Sequence, residues 1–561
     1  MRKNRKKVVS MITALSMTLA ACGSNAGTDK PTDAQQPADS TQQTANAQQG
    51  ADVQQGTDKP TGDGSNEFRI FAGIGVLSAD NSEKPVVQQM NEAMGVTIDW
   101  ECISADTMKE KKNLVLNAGG DLPDAFMGAE LTDYEIITNG SNGIFIPLES
   151  YINDNTMPNL SKLVKERPEI LASCTMPDGH VYSLPTISEM GFSYSNGNDY
   201  YIGAIPQFMA INKDWLAAVN MEMPTTIDEL HDVLVAFKEN DCNGNGDPTD
   251  EIPLSFEWDH WCANMTSLYS AFGFTDYNED HRAIRDGKVY FNASTDNYKA
   301  AMEYFHQWYQ EGLIDIEAFS QEDSQYIAKG SGEDERLGVF CWWEIPEVVG
   351  DHADEYEYLT FLSGADGTLG VNLNEQGTVT HDRFAVTKSC QNPELLMKWV
   401  DQCYDPILSM QIIYGPIGVY FESEPDENGV YIETAEAGGN LKAKEEFNAP
   451  NRQLSTDFGT YYYMEDRAQQ RLDDLNNIWF KNVKNFDYYP TVVYSLEETE
   501  TINEYISDIK DYVSQTSAGW IVNGGAEDDW DTYLKQLDNM GVNEVVAAWQ
   551  AAYDRYMQAV K

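Results

Sequence analysis

Glu67-Phe68-Arg69-Ile70-Phe71-Ala72-Gly73-Ile74-Gly75-Val76 reads as a strand, PVVQQMNEAMG (85–95) as a helix and VTIDWECI (96–103) as a second strand. TMKEKKNLVLNAGG (107–120) then reads as a helix, and DAFMG (124–128) as a third strand after the turn at Asp121-Leu122-Pro123. Strand and helix alternating at this spacing imply an α/β fold, with a parallel sheet and right-handed crossovers. In such sheets ligands sit beyond the carboxyl ends of the strands, here near 73–77 and 127–129.

A second block opens near Met209 with AINKDWL. Pro224-Thr225-Thr226-Ile227-Asp228-Glu229 starts a helix, with Thr226 and Glu229 at the spacing of a capping box. Ile227, Leu230, Leu234 and Phe237 recur on one face of it. Tyr298, Met302, Phe305, Tyr309 and Leu313 form another helical stripe that ends near Gly312, and aromatics at that spacing are core. From about Tyr461 the remainder reads as largely helical, with Trp479, Trp530 and Trp549 as core positions; so does Trp399, upstream.

Upstream of Glu67 the composition changes. Residues 2–7 (RKNRKK) are basic and precede the apolar run VVSMITALSMTL, too short to span a bilayer of roughly 30 Å. The run closes on Leu19-Ala20-Ala21-Cys22-Gly23, which resembles the bacterial lipobox. That resemblance implies a signal peptide over 1–21, cleavage before Cys22 and a lipid on its thiol. Residues 23–66 contain no aromatic and one branched aliphatic, Val53, and carry GTDKPT twice. Nothing there can bury a core, so a disordered tether is expected to follow Cys22, which the lipobox resemblance implies is lipidated, and 22–66 forms one segment.

The chain has 561 residues, with 37 Lys+Arg against 91 Asp+Glu. Loss of 1–21 removes five basic residues and no acid, so the processed chain is more acidic still. Such a field repels phosphate backbones and excludes nucleic acid as a partner. None of the eight cysteines forms a C-x-x-C pair, and the seven His make no H-E-x-x-H, which argues against zinc. With Cys22 modified, seven thiols remain, an odd number that no intrachain disulfide framework can use up; buried free thiols are expected.

Several long segments together resemble one family. NKDWLAAVNMEMPTTIDELHDVLVAFKENDCNGNGDPTDEIPLS (212–255), GKVYFNASTDNYKAAMEYFHQWYQEGLIDIEAF (287–319), TKSCQNPELLMKWVDQCY (387–404) with the later YGPIG, and DDWDTYLKQLDNMG (528–541) with WQAAYDRY look like extracellular solute-binding proteins of carbohydrate ABC transporters. The family implies a two-lobed, periplasmic-binding-protein-like (type II) α/β fold with a helical C-terminal region. By that resemblance, 67–200 and 357–430 make lobe 1, and 201–356 and 431–561 make lobe 2 with the C-terminal helices. The first crossover falls near 184–211 and the return near 358–386.

Asp241-Cys242-Asn243-Gly244-Asn245-Gly246-Asp247 matches D-x-[DN]-x-[DN]-G. Alternate side chains at Asp241, Asn243 and Asn245 converge, Gly246 permits the sharp turn, Asp247 adds a carbonyl, and carboxylates close the shell around calcium. An EF-hand would place a bidentate Glu where Ile252 stands. The loop instead resembles a shorter solute-binding-protein version closed by Asp250 and Glu251, either of which can be the bidentate one. The plain alternative is a Gly/Asn-rich turn. The calcium would be structural.

Sugars present hydroxyl rims and apolar faces, so their sites mix stacked aromatics with polar side chains. Four places offer that mixture: Trp342-Trp343-Glu344 after RLGVFC, the segment with Trp258 and Trp261 after the calcium loop, residues 194–201 with Tyr201, and Tyr414 before Gly415-Pro416. Maltose-type binding proteins carry a stacking aromatic at the first of these, and the resemblance points there too. If the backbone is extended, Trp342 and Trp343 face opposite ways and one of them faces the cleft. The expected function is that of a monomeric, lipid-anchored protein on the extracellular face of the membrane. It would capture an oligosaccharide between its lobes, deliver it to ABC transporter permease subunits, and perform no catalysis. The rival readings are an extracellular glycan hydrolase and a peptide- or signal-binding lipoprotein of the same fold.

Overall fold

The computed structural model describes residues 66–560 apart from 76, 119, 190–199, 278, 333–334, 375–377, 435–443, 446, 464–465 and 484–485. The expectations placed on 1–65, Cys22 among them, and on 194–199 lie outside the described residues.

Two sheets organise the chain. Their strands in chain order begin with β1 (Glu67–Ile74), β2 (Thr97–Ser104), β3 (Ala125–Met127), β4 (Leu184–Ser188) and β5 (Phe208–Asn212). There follow β6 (Ile252–Ser255), β7 (Leu337–Trp342), β8 (Tyr356–Leu359), β9 (Thr378–Val386) and β10 (Arg452–Gln453). The first sheet has the order β10-β4-β9-β3-β1-β2, the second β8-β5-β7-β6. β1 runs parallel to β2 and β3, as the alternation with helices Pro85–Met94 and Met108–Ala118 requires.

Period-two burial explains why the first sheet is covered on both faces. Phe68, Ile70 and Ala72 join the core of helices Pro393–Asp401 and Pro406–Tyr414, while Phe71 joins Phe126 and Ala385 in a separate core. The second sheet divides the same way. Met209, Ile211 and Val339 pack with helix Asp296–Gln310 and the C-terminal helices Leu496–Asn523, Ala526–Asn539 and Val542–Val560. Ala210, Phe340 and Trp342 pack with Tyr326 and Val348. The capping box forms at helix Ile227–Glu239: Glu229 N donates to Thr226 Oγ1 at 3.1 Å and Thr226 N to Glu229 Oε2 at 3.1 Å. Trp399, Trp479, Trp530 and Trp549 are buried, and the seven described cysteines are free thiols.

Sheet membership differs from the boundaries expected at 356/357 and 430/431. β8 pairs antiparallel with β5, Tyr358 opposite Ala210, so 357–359 belong to the second sheet. β10 pairs parallel with β4, Arg452 opposite Ile187, so the chain is still contributing to the first sheet at 452–453. A two-residue strand carries no periodicity to read, and its pairing is fixed only by long-range contacts.

The carboxyl ends of β1 and β3 are closely packed. A Cβ on Gly73 would stand 2.1 Å from Gly128 O, and one on Gly128, itself at φ +54°, would meet Asn448 O at 2.4 Å. Asn448 Nδ2 donates to Gly128 O at 3.3 Å and accepts, through Oδ1, from Arg383 Nη1 at 2.9 Å. Ala129 is fully buried. The strand ends near 127–129 are thus occupied by the protein's own 447–449 segment.

Candidate functional site

A cavity of about 660 Å³ opens beside the second sheet. One wall is the segment after β6, with Trp258, Asp259, His260 and Trp261; another is helix Leu496–Asn523, with Lys510, Asp511, Ser514 and Gln515. Trp258 Nε1 donates to Ser514 Oγ at 3.0 Å, and Ser514 Oγ donates to the Asp259 carboxylate at 2.7 Å to Oδ2 and 2.8 Å to Oδ1. This relay fixes one indole and one carboxylate at the cavity edge.

Asp259 and His281, both lining the cavity, hold positive φ of 61° and 53°. A residue with a Cβ adopts this region at a cost, and such positions cluster where a side chain must be aimed. His281 Nδ1 lies 2.7 Å from Asp276 Oδ2. Burial works to lower the His281 pKa, yet the Asp276 carboxylate carries it above the ordinary value. Lys510 is paired with Glu279 at 2.6 Å. Trp261 is 56% exposed, a large apolar surface left open to water at the cavity.

The two adjacent tryptophans part company. Trp342, at 8% exposure, stacks on His260 with ring centroids 4.9 Å apart and donates from Nε1 to Glu347 Oε2 at 3.0 Å. Trp343 lies 6.0 Å from the Trp261 ring and receives the Arg471 guanidinium at 4.3 Å from its centroid. Glu344 is held by Arg467 at 2.6 Å and Arg471 at 3.0 Å. Trp258 and Trp261 therefore line the cavity, Trp343 adjoins Trp261, and Trp342 backs His260 from the core.

Tyr414 is elsewhere. It is buried in an aromatic cluster with Tyr420, Phe421 and Tyr462, and its hydroxyl accepts from Gln453 Nε2 at 2.6 Å. The reason is local: helix Pro406–Tyr414 is wedged between the two cores, with Met410 and Tyr414 on one side and Leu408 and Ile412 on the other. Tyr201 is half-buried in the segment leading to β5 and is absent from the cavity wall. The polar face of helix Leu496–Asn523 was not anticipated. Its signal was present in Lys510, Asp511, Ser514 and Gln515, spaced to share one helical face.

The loop at 241–251 offers oxygen throughout. Asp241 Oδ2 accepts from Gly246 N at 3.0 Å, Asn243 Oδ1 from Asn245 N at 3.0 Å, and Asn245 Oδ1 from Asp247 N at 2.7 Å. Gly246 stands at φ +93°, where a side chain would be strained. Asn245 Nδ2 donates to Asp250 Oδ2 at 3.0 Å. Glu251 is 9% exposed; its Oε1 accepts from Cys242 N at 2.8 Å, while its buried Oε2 has no hydrogen-bond partner. An orphaned buried carboxylate oxygen beside an all-oxygen loop fits a hard cation such as calcium.

Residues 77–340 match the family described as bacterial extracellular solute-binding protein. The chain is 36% identical over 485 residues to the fructooligosaccharide ABC transporter substrate-binding protein FusA of Streptococcus pneumoniae, covering 85% of this chain and 88% of FusA. The solved structure of FusA in complex with kestose superposes with a TM-score of 0.70 at 35% identity, covering 88% of this chain and 99% of that one. That of a FusA EF-hand mutant with fructo-nystose gives 0.69 at 35% identity and the same coverage. A human-milk-oligosaccharide (HMO) binding, ABC-transporter-associated solute-binding protein of Bifidobacterium longum infantis gives 0.72 at 26% identity, again covering 88% and 99%.

Proposed function

Because the chain belongs to the bacterial extracellular solute-binding proteins, we propose that it captures an oligosaccharide in the cavity at Trp258 and Trp261 and passes it to an ABC transporter. One observation carries this reading: an open indole, Trp261, shares a cavity wall with a carboxylate aimed by the Trp258–Ser514–Asp259 relay. The indole takes the apolar face of a sugar ring and the carboxylate accepts from its hydroxyls. Trp343 extends the platform beside Trp261, and Glu344 and Trp342 hold it from behind.

The two sheets act as the cores of two lobes that close on the ligand, with Tyr201 in the segment that passes between them. The protein is a monomer, does not turn its ligand over, and stands outside the cell on a lipid at Cys22. Calcium binds the 241–251 loop through Asp241, Asn243, Asn245, Asp247, Asp250 and Glu251, and its role is to hold that loop in shape. A fructooligosaccharide is the ligand class favoured by the likeness to FusA.

Calorimetry with kestose tests the reading. Saturable binding with compaction in small-angle scattering is expected, since a ligand touching both lobes favours the closed form. Absence of binding across kestose, longer fructans and milk oligosaccharides would overturn the oligosaccharide assignment. Release of free fructose would overturn the non-catalytic one.

A further inference from the structure

Three side chains converge at the cavity wall, Glu257, His260 and Asp323, with one ligating atom of each within 4.8 Å of the others. Glu257 is 7% exposed, and its buried Oε2 has no hydrogen-bond partner. Among the described residues, no lysine or arginine pairs with either carboxylate; the nearby Lys329 is taken by Asp315 at 2.6 Å and Glu317 at 2.8 Å. Two carboxylates this close repel one another, so either a cation balances both charges or a proton neutralises one of them.

The imidazole decides which. His260 Nδ1 accepts the backbone N–H groups of Cys262 at 3.2 Å and Ala263 at 3.1 Å. Nδ1 therefore carries a lone pair, and in the neutral ring the proton sits on Nε2, 3.5 Å from Asp323 Oδ1. A metal ion would need the Nε2 lone pair and would have to move the proton to Nδ1, against two N–H donors. An imidazolium fails for the same reason. The ring is neutral, Nε2–H points at the carboxylates, and the missing charge is a proton on a carboxyl group.

Asp323 opens the helix Asp323–Gly330, where the aligned peptide dipoles favour an anion, and it faces the Nε2–H. Glu257 has neither aid. We propose that Glu257 is a positioning residue of the binding site: as a neutral acid it donates its proton to Asp323, and this bond fixes the segment that carries Trp258, His260 and Trp261. The same segment is closed by Glu257 N donating to Ala263 O at 3.0 Å and by His260 N donating to Glu257 O at 3.4 Å. Its consequence for ligand rests on the proposed oligosaccharide site; the shared proton does not.

The other groups around Glu257 push the same way. Burial, then Asp323, then Glu322 raise its pKa to about 7, while burial keeps His260 below its ordinary value. Tyr326 and Cys262, which pack nearby, are neutral at these pH values. Because the fold raises the Glu257 pKa, the stability it contributes is complete below the ordinary glutamate value and is lost as pH rises through about 7.

The test compares wild type, Glu257→Gln and Asp323→Asn across about pH 5 to about pH 9. Wild type is expected to show a protonated-carboxyl infrared band at low pH that disappears near neutrality and is missing from Glu257→Gln. Its melting temperature should fall over the same interval relative to Glu257→Gln. Asp323→Asn removes the repelling charge and should shift the transition to lower pH. Where kestose binds, its affinity for wild type should drop by about threefold to tenfold across the transition and stay level in Glu257→Gln. A band unchanged by Glu257→Gln, a transition unmoved by Asp323→Asn, or stoichiometric metal lost on Asp323→Asn would each overturn the proposal. Failure of kestose to bind bears on the ligand alone, because the ligand-free measurements decide the proton.

Discussion

At the scale of single residues, Trp261 and Trp342 illustrate how one side-chain type serves two ends. Trp261 is 56% exposed at the cavity, so its loss costs the fold little but removes an apolar platform worth on the order of 1–3 kcal/mol to a sugar ring. Trp261→Ala should weaken kestose binding by roughly tenfold to a hundredfold with an unchanged melting temperature, as calorimetry beside thermal denaturation will show. Trp342 is 8% exposed between His260 and Tyr326, and Trp342→Ala should destabilise by about 3–5 kcal/mol in denaturant titrations. Equal losses of affinity and stability in both variants would contradict the division. Adjacency along a strand separated Trp342 from Trp343 in the sequence. Which of them turned inward depended on Glu347 and His260, brought to Trp342 only by the fold.

Among the elements, the 241–251 loop stood out because the spacing of its D-x-[DN]-x-[DN]-G motif is local, and β1 to β3 because each strand and helix announces itself by period. The cavity wall was only half legible. Trp258 and Trp261 stood out as aromatics among polar residues, but Ser514 lies two hundred and fifty-six positions from Trp258, and a helix that buries Ile509 and Val513 reads as core. For the loop, a cation that binds only the folded chain adds about 2.7 kcal/mol at a hundred times its dissociation constant. Chelator should therefore lower the melting temperature, calcium should restore it, and Glu251→Gln should abolish the response by removing the carboxylate with the orphaned Oε2. A melting curve indifferent to chelator would refute the assignment.

For the whole molecule, the α/β class was legible from the first sixty residues of the folded part. The division between the sheets was not, because β8 and β10 are assigned by partners rather than by pattern. The proposed anchor is a property of the whole chain as well. Cys22→Ser should yield uncleaved precursor or protein shed into the medium in cell fractionation, and unaltered membrane retention would count against lipidation. The first sheet has one more consequence. Its oldest strands, β1 to β4, are synthesised first, yet β9 lies between β3 and β4 and β10 closes the edge, after the entire second sheet has been made. No portion of the chain that ends before Thr378 can complete that sheet, so a ribosome or an export channel releasing the protein N-terminus first holds β3 and β4 without the strand that joins them. Ordering so dependent on distant pairing is slow. Until β9 has followed, β1, β2 and β3 can pair among themselves, but β4 has no partner in the sheet at all.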